Sequence, residues 1–258
     1  MCRVISFMNE KGGVGKSTIT FSVAWYLQKM GKRILIVDMD GQKANISYLA
    51  GLDISDDVLT MQDVLLRNLD VNSVIQNVTV SDSNGCLDII PASVSMVSLP
   101  QTVKISKMKK VVQDLKKNYD FIFIDVNPSP DWRHALALSV LDGICIVMLP
   151  DILSLEANVG IFESIDEVQS SINPDLKVIG FVINKFDSRT NLAKAVLDKA
   201  NTMAMYYDTK VFDTKIRKAV SVGESAISHV GITDYAEKAA VASDMQKLAE
   251  EFIMSLQK

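Results

Sequence analysis

The densest chemistry in the chain lies in FMNEKGGVGKST, residues 7 to 18. A phosphate-binding loop has the form G-x-x-x-x-G-K-[ST]. Gly15, Lys16 and Ser17 fill its last three places, while Glu10 stands where the first glycine belongs. Gly12, Gly13 and Gly15 let the backbone curl so that N–H groups point at phosphate oxygens, and a following helix aims its N-terminal dipole at the same charge. Val14 and Thr18 complete the cradle. Lys16 offers a cation to the terminal phosphates, and the Ser17 hydroxyl suits magnesium. Lys11 is a second lysine, at the mouth of the loop. With Lys16 already inside the cradle, Lys11 is placed to reach phosphates held by a facing subunit, where it would act as an arginine finger does. On that reading the nucleotide joins two copies of the chain.

Such a loop needs a strand before it and a helix after it. RVISFMN is a short apolar run that reads as a buried strand, and STITFSVAWYLQKMGK follows with Ile19, Val23, Leu27 and Met30 at helical spacing, ended by Gly31. RILIVDMD is a second buried strand closing on Asp38 and Asp40. FIFID (121–125), GICIVML (143–149) and VIGFVI (178–183) read as further strands, with helices expected over 104–118, 131–141, 154–171 and 188–203. In the third of these, Leu155, Val159, Phe162, Ile165 and Val168 make a core stripe. Strands apolar on both faces, alternating with helices, predict an α/β fold: a P-loop NTPase with a mostly parallel, doubly wound sheet flanked by helices. Ligands in such sheets bind beyond the carboxyl ends of strands. The loop, Asp38 and Asp40, Asp125, and Asn184 all fall at such ends. Carboxylates on neighbouring strand ends are what a magnesium–phosphate site needs.

Composition narrows the function. The 258 residues are 48% hydrophobic and 22% charged, and no apolar run approaches the roughly 18 residues of a membrane span. Net charge is −4, so any nucleic-acid contact has to come from a local patch. The scattered cysteines (Cys2, Cys86, Cys145) predict a reducing, cytoplasmic setting, and two distant histidines without a C-x-x-C exclude zinc and iron–sulfur chemistry. No linker or repeat divides the chain. Residues 1–258 are expected to form one domain, with neither a signal peptide nor an N-terminal DNA-binding domain ahead of the first strand.

KGGVGKST resembles the deviant Walker A box of the ParA/MinD ATPases, and the resemblance runs from about residue 3 to 255. VDMDGQKAN looks like the family's second box, FIFIDVNPSPD like its Walker B box and proline segment, and NKFDSRTNLAKAV and FDTKIRKAVSVGES like its C-terminal segments. The resemblance implies that Lys11 is the signature lysine acting across an ATP-sandwich dimer. It implies ATP and Mg2+ as cofactors, with Asp38 organising the metal's water shell, Asp125 holding a metal-bound water and Ser17 a direct ligand. Asp40 would orient or activate the attacking water, and Asn184 would contact adenine. Gly41 replaces the usual proline and Asn127 departs from the usual Walker B continuation, whereas Gln42, Asn45 and Pro128 remain. NKFD at 184–187 is literally the guanine-reading N-K-x-D of GTPases, but the ParA-like remainder favours ATP, leaving Asp187 to cap a helix near Ser188.

Two functions fit that resemblance. One is a DNA-partitioning ATPase whose ATP dimer holds non-specific DNA until a ParB-like centromere-binding partner triggers slow hydrolysis, segregating a plasmid, chromosome or mobile element on the nucleoid. The other is a MinD-like membrane or protein-cargo positioning ATPase. The C-terminal SDMQKLAEEFIMSLQK puts Met245, Leu248, Phe252, Ile253 and Leu256 on one face, but Glu250 and Glu251 oppose anionic lipid, so this helix is expected to pack on the domain and not on a membrane. Arg189, Arg217 and Lys218 match DNA-binding positions of the family, Ser221 stands near where some relatives carry another Arg, and Lys194, Lys199, Lys210 and Lys215 add charge. The basic run KISKMKK (104–110) is a weaker candidate. A nitrogenase-type reductase or an arsenite-type pump would need cysteines the chain lacks, and a tyrosine kinase of this class a tyrosine-rich tail.

Overall fold

The computed structural model describes residues 1–41, 45–79, 84–93, 100–127 and 131–256, with the side chains of 45 and 152–159 left out. Gln42, Pro128 and the side chains of Asn45, Leu155 and Val159 therefore lie outside the described residues. In chain order the elements are β1 (Arg3–Met8), α1 (Lys16–Lys29), β2 (Arg33–Asp38), α2 (Asn45–Leu49), α3 (Met61–Arg67), a 3-10 turn (Val71–Val74), β3 (Gln76–Asn77), β4 (Cys86–Ile90), α4 (Ile105–Leu115) and β5 (Phe121–Asp125). There follow α5 (Trp132–Leu138), β6 (Gly143–Met148), α6 (Ile152–Ser171), β7 (Lys177–Ile183), α7 (Asn191–Tyr206), α8 (Ser221–Ile227), α9 (Ile232–Tyr235) and α10 (Ala240–Ser255).

The strands form one sheet in the order β3-β4-β2-β5-β1-β6-β7. Every pairing is parallel except β3 with β4. Alternation along each strand splits the core in two. Val4, Leu35, Val37, Ile122, Ile124, Ile144 and Ile146 face one side, against α3 to α7. Ile5, Phe7, Ile34, Ile36, Phe123, Cys145 and Val147 face the other, against α1, α2, α9 and α10. This is the doubly wound architecture expected from strands apolar on both faces.

The apolar face of α10 lies inside the domain. Phe252 is fully buried with its ring 5.9 Å from both Phe7 and Phe123. Burial of such a side chain contributes about 2 kcal/mol. Met245 and Leu248 are buried beside it. Glu251 accepts from the backbone N–H groups of Asp213 and Thr214 and from Lys210, so the acid on this helix anchors it to the segment between α7 and α8. Among the described residues, no helix is long and apolar enough to cross a membrane.

Several boundaries differ from expectation. The helix expected from 188 begins at Asn191, because Thr190 provides the cap: its Oγ1 accepts from Ala193 N at 3.2 Å. Asp187 is not the cap, since its carboxylate turns to the Arg189 side chain and backbone. The helix expected over 131–141 runs from Trp132 to Leu138, with Asp131 capping it through Arg133 N and His134 N. Strands β3 and β4 and the short helices α2, α3, α8 and α9 extend the expected set.

Candidate functional site

The order β2-β5-β1 sets three strand ends side by side. Asp38 and Asp125 are register partners across β2 and β5, so two carboxylates meet at the last rung of the ladder. From β1 the chain leaves into the glycine loop. Gly13 (φ +74°) and Gly15 (φ +98°) hold left-handed conformations that suit glycine, and Gly15 passes directly into Lys16 at the first turn of α1. A Cβ on Gly15 would also fall 2.3 Å from Asn184 Nδ2, so the loop and the end of β7 touch there.

That contact is bonded. Asn184 Nδ2 donates to the Val14 carbonyl at 2.7 Å, and Lys185 Nζ donates to the Gly13 carbonyl at 3.0 Å. Lys185 reaches it from a left-handed backbone position, φ +53°. The tetrapeptide that looked like a base reader thus ties down the outward carbonyls of the phosphate loop, leaving its N–H groups for phosphate. Asn184 was expected to contact adenine. It does line the cavity, with its amide engaged by Val14 and its Oδ1 accepting from Lys185 N at 2.9 Å.

Inside the loop, Lys16 is buried, and desolvation pulls its pKa down against the charges of Asp125 and Asp40. Ser17 Oγ donates to Asp125 Oδ2 at 2.6 Å. Asp125 Oδ1 is buried and accepts no hydrogen bond. Burial, and next the nearby Asp38 carboxylate, push Asp125 well above the usual carboxylate range. Asp38 is also pushed up, first by burial, although its oxygens accept from Asp40 N at 3.0 Å and from Ser47 N and Oγ at 3.0 and 2.7 Å. Ser47 in turn accepts from Ala92 N at 2.9 Å, so α2 and the end of β4 brace Asp38 from behind.

A cation fits this set. An orphaned buried carboxylate oxygen beside a hydroxyl and two further acids is unfavourable alone and is relieved by a hard divalent ion. Among the described residues no three His, Cys, Asp or Glu side chains form a metal cage. Mg2+ keeps several waters and takes its remaining ligands from phosphate and one or two protein oxygens. Ser17 and Asp125 are the residues placed to hold it.

The cavity in front of these groups measures about 630 Å3. Gly12, Gly13, Gly15, Lys16, Ser17, Thr18, Asp40 and Asn184 are among its lining residues. Ile216, Ala219, Val222 and Met245 supply an apolar end large enough for a base. Arg217 and Lys218 also line it, and Arg217 is held by Asp244 at 2.7 and 2.9 Å. Arg189 is not among the lining residues: it stands 87% exposed, paired with Asp187. A backbone bridge between Phe186 and Arg217 nevertheless sets the two basic loops side by side.

Lys11 points elsewhere. Its Nζ lies 2.8 Å from Asp151 Oδ1, and its backbone N–H donates to Asn9 Oδ1 at 2.7 Å. Asn9 Nδ2 reaches across to the Val147 carbonyl at 2.7 Å, which pins the loop mouth to β6. Glu10, in the place of the missing glycine, accepts from Ser164 Oγ on α6 and lies against Gly160, with its pKa raised chiefly by burial. Asn9, Ser47, Asp151 and Lys185 are thus site residues that sequence reasoning passed over. Asn9 and Lys185 stood in quoted stretches, Asn9 with no role and Lys185 pointing to a base.

A family model described as an AAA domain, AAA_31, matches residues 2–178. The chain is 32% identical to the chromosome-partitioning ATPase Soj of Treponema pallidum over 98% of both chains. It is 30% identical to the sporulation initiation inhibitor protein Soj of Bacillus subtilis over 97% of this chain and 98% of that one. Among solved structures, the septum site-determining protein MinD of Pyrococcus horikoshii, complexed with Mg-ADP, superposes with a TM-score of 0.75 at 25% identity, covering 97% of this chain and 96% of that one.

Proposed function

The chain belongs to the ParA/MinD-type partition ATPases within the AAA_31 family, and from that premise we propose that it positions DNA cargo by a nucleotide-timed cycle of dimerisation. It is an ATPase that uses ATP and Mg2+. Lys16 and the loop N–H groups bind the phosphates, with Thr18 at the cradle's end, and the bound metal supplies charge neutralisation on the β- and γ-phosphates. Ser17 and Asp125 would hold the metal, Asp38 steadies the adjoining strand end, and Asp40, 4% exposed at the cavity wall, orients water for attack on the γ-phosphate. Asp187, the residue a guanine-reading site would use, is not among the residues that line the cavity. A guanine-reading carboxylate has to be open to the base, and this one is bound by Arg189 at 2.7 and 2.9 Å.

One observation carries the dimer reading. Lys11 stands outside its own phosphate cradle and rests on Asp151, at the loop mouth, while Lys16 fills the inside. A lysine in that position serves phosphates presented by a second copy. The ATP dimer would bring the loops bearing Arg189, Arg217 and Lys218 from both copies onto one surface, a row of cations that holds phosphate backbone without sequence choice. A ParB-like partner would then stimulate hydrolysis and release the protein from the nucleoid.

Co-sedimentation of the Asp40→Ala protein with non-specific DNA, and in parallel with anionic liposomes, under Mg-ATP and Mg-ADP tests this. Retention on DNA only with ATP is the expected result. ATP-dependent retention on liposomes alone would replace this reading with membrane positioning. The buried apolar face of α10 argues against that outcome.

A further inference from the structure

A buried arginine outside the recognised motifs is built into the same corner of the fold. Arg133 lies in the first turn of α5, 6% exposed in its side chain. Asp131 holds it with one carboxylate oxygen, which accepts from Arg133 Nε at 3.0 Å and Nη2 at 2.6 Å. The other oxygen of Asp131 caps α5 through Arg133 N at 2.8 Å and His134 N at 3.3 Å. The guanidinium, fixed in this way, extends Nη1 to the Met39 carbonyl at 3.5 Å. Met39 is the fully buried residue between Asp38 and Asp40, and its own N–H donates to the Asp125 carbonyl at 2.8 Å.

The backbone carrying Asp40 is therefore held at two points: by β5 through Asp125 and by α5 through Arg133. A guanidinium is costly to bury and is kept only where its hydrogen bonds are satisfied. A loop backbone needed no charge merely to fill space there. We propose that Arg133 is a positioning residue for ATP hydrolysis, fixing the Asp38–Asp40 segment relative to Asp125 so that the Asp40 carboxylate meets the attacking water. This rests on the reading of Asp40 as the residue that orients water. Arg133 is not among the residues that line the nucleotide cavity, so its expected effect is on the chemical step and not on affinity.

Arg133→Met keeps the buried volume and removes the tether, whereas Arg133→Lys keeps a charge and one donor. With ATP affinity measured by equilibrium titration, both variants should bind Mg-ATP within about twofold of the parent. Turnover should fall about tenfold to a hundredfold in Arg133→Met, the scale of a misplaced catalytic group, and recover in part in Arg133→Lys. Asp131→Asn, which retains an acceptor for the helix cap, is the second variant should Arg133→Met fail to fold, and should show the same split. Unchanged turnover, or affinity falling in step with turnover in every variant, overturns the proposal. Asp40→Ala is assayed alongside. If it turns over normally, the reading of Asp40 fails. If it loses turnover while Arg133→Met does not, the role of Arg133 alone is lost.

Discussion

Asp151→Asn should tighten the ATP-dependent dimer. In the single chain the ammonium of Lys11 rests 2.8 Å from Asp151, with the two side chains 27% and 37% exposed. At a charge separation of about 4 Å and an effective dielectric constant of about 20, the gross attraction is about 4 kcal/mol. Solvent screening and the cost of holding two side chains reduce such a part-exposed pair to about 1 kcal/mol net. If Lys11 serves the facing nucleotide, two lysines must leave two aspartates each time a dimer forms. The combined cost is about 2 kcal/mol, equivalent to about 30-fold in the dissociation constant. Sedimentation equilibrium of Asp40→Ala and of Asp40→Ala/Asp151→Asn under Mg-ATP reads this difference directly. Lys11→Ala, the control, should lose the dimer while binding mononucleotide normally. An unchanged or weaker dimer in the Asp151→Asn variant would refute the competition between the two partners of Lys11.

Two further outcomes separate residues that the sequence grouped together. Arg189→Glu should abolish DNA retention and leave ATP affinity intact, because Arg189 stands outside the cavity. Arg217→Ala should weaken both, the nucleotide by about threefold to tenfold, because it removes a cavity wall and leaves the buried Asp244 carboxylate unpaired; fluorescent-nucleotide titration beside a DNA gel shift distinguishes the two. Asp125→Asn should eliminate turnover yet stabilise the metal-free protein by about 1 kcal/mol, since it replaces a carboxylate with an orphaned oxygen by a neutral amide. In EDTA its melting temperature should exceed the parent's by about 2–4 °C, and a lower value would contradict the strain assigned to that oxygen.

Five strands were legible because each is a run apolar on both faces, and their ends carried the carboxylates with them. Strand β4 escaped notice because CLDII carries Asp88 at its centre. That side chain is half-buried, one strand in from the edge of the sheet, and accepts from Asn77 and Tyr119, so a charge is tolerated there. The two-residue β3 and the short α8 and α9 offer no period to detect. In the site, legibility followed contiguity. The loop is one unbroken stretch, and Asp38 and Asp125 announce themselves by closing strands. The bonds that set its geometry join residues far apart in the chain: Lys11 to Asp151 across 140 positions, Lys185 to Gly13 across 172, Arg133 to Met39 across 94. No local pattern encodes such pairs; they exist only once the sheet has set its strand order.

The tether from Asn184 and Lys185 to the carbonyls of Val14 and Gly13 makes the end of β7 part of the phosphate cradle's frame. Just beyond those two residues Thr190 opens α7, a lever of 16 residues. The start of α7 thus lies close in sequence to the bonds that hold the phosphate cradle, as the start of α5 lies close to the bond that holds Met39 beside Asp40. The cradle and the Asp40 segment are braced from opposite flanks of β1, one by the end of β7 and the other by α5.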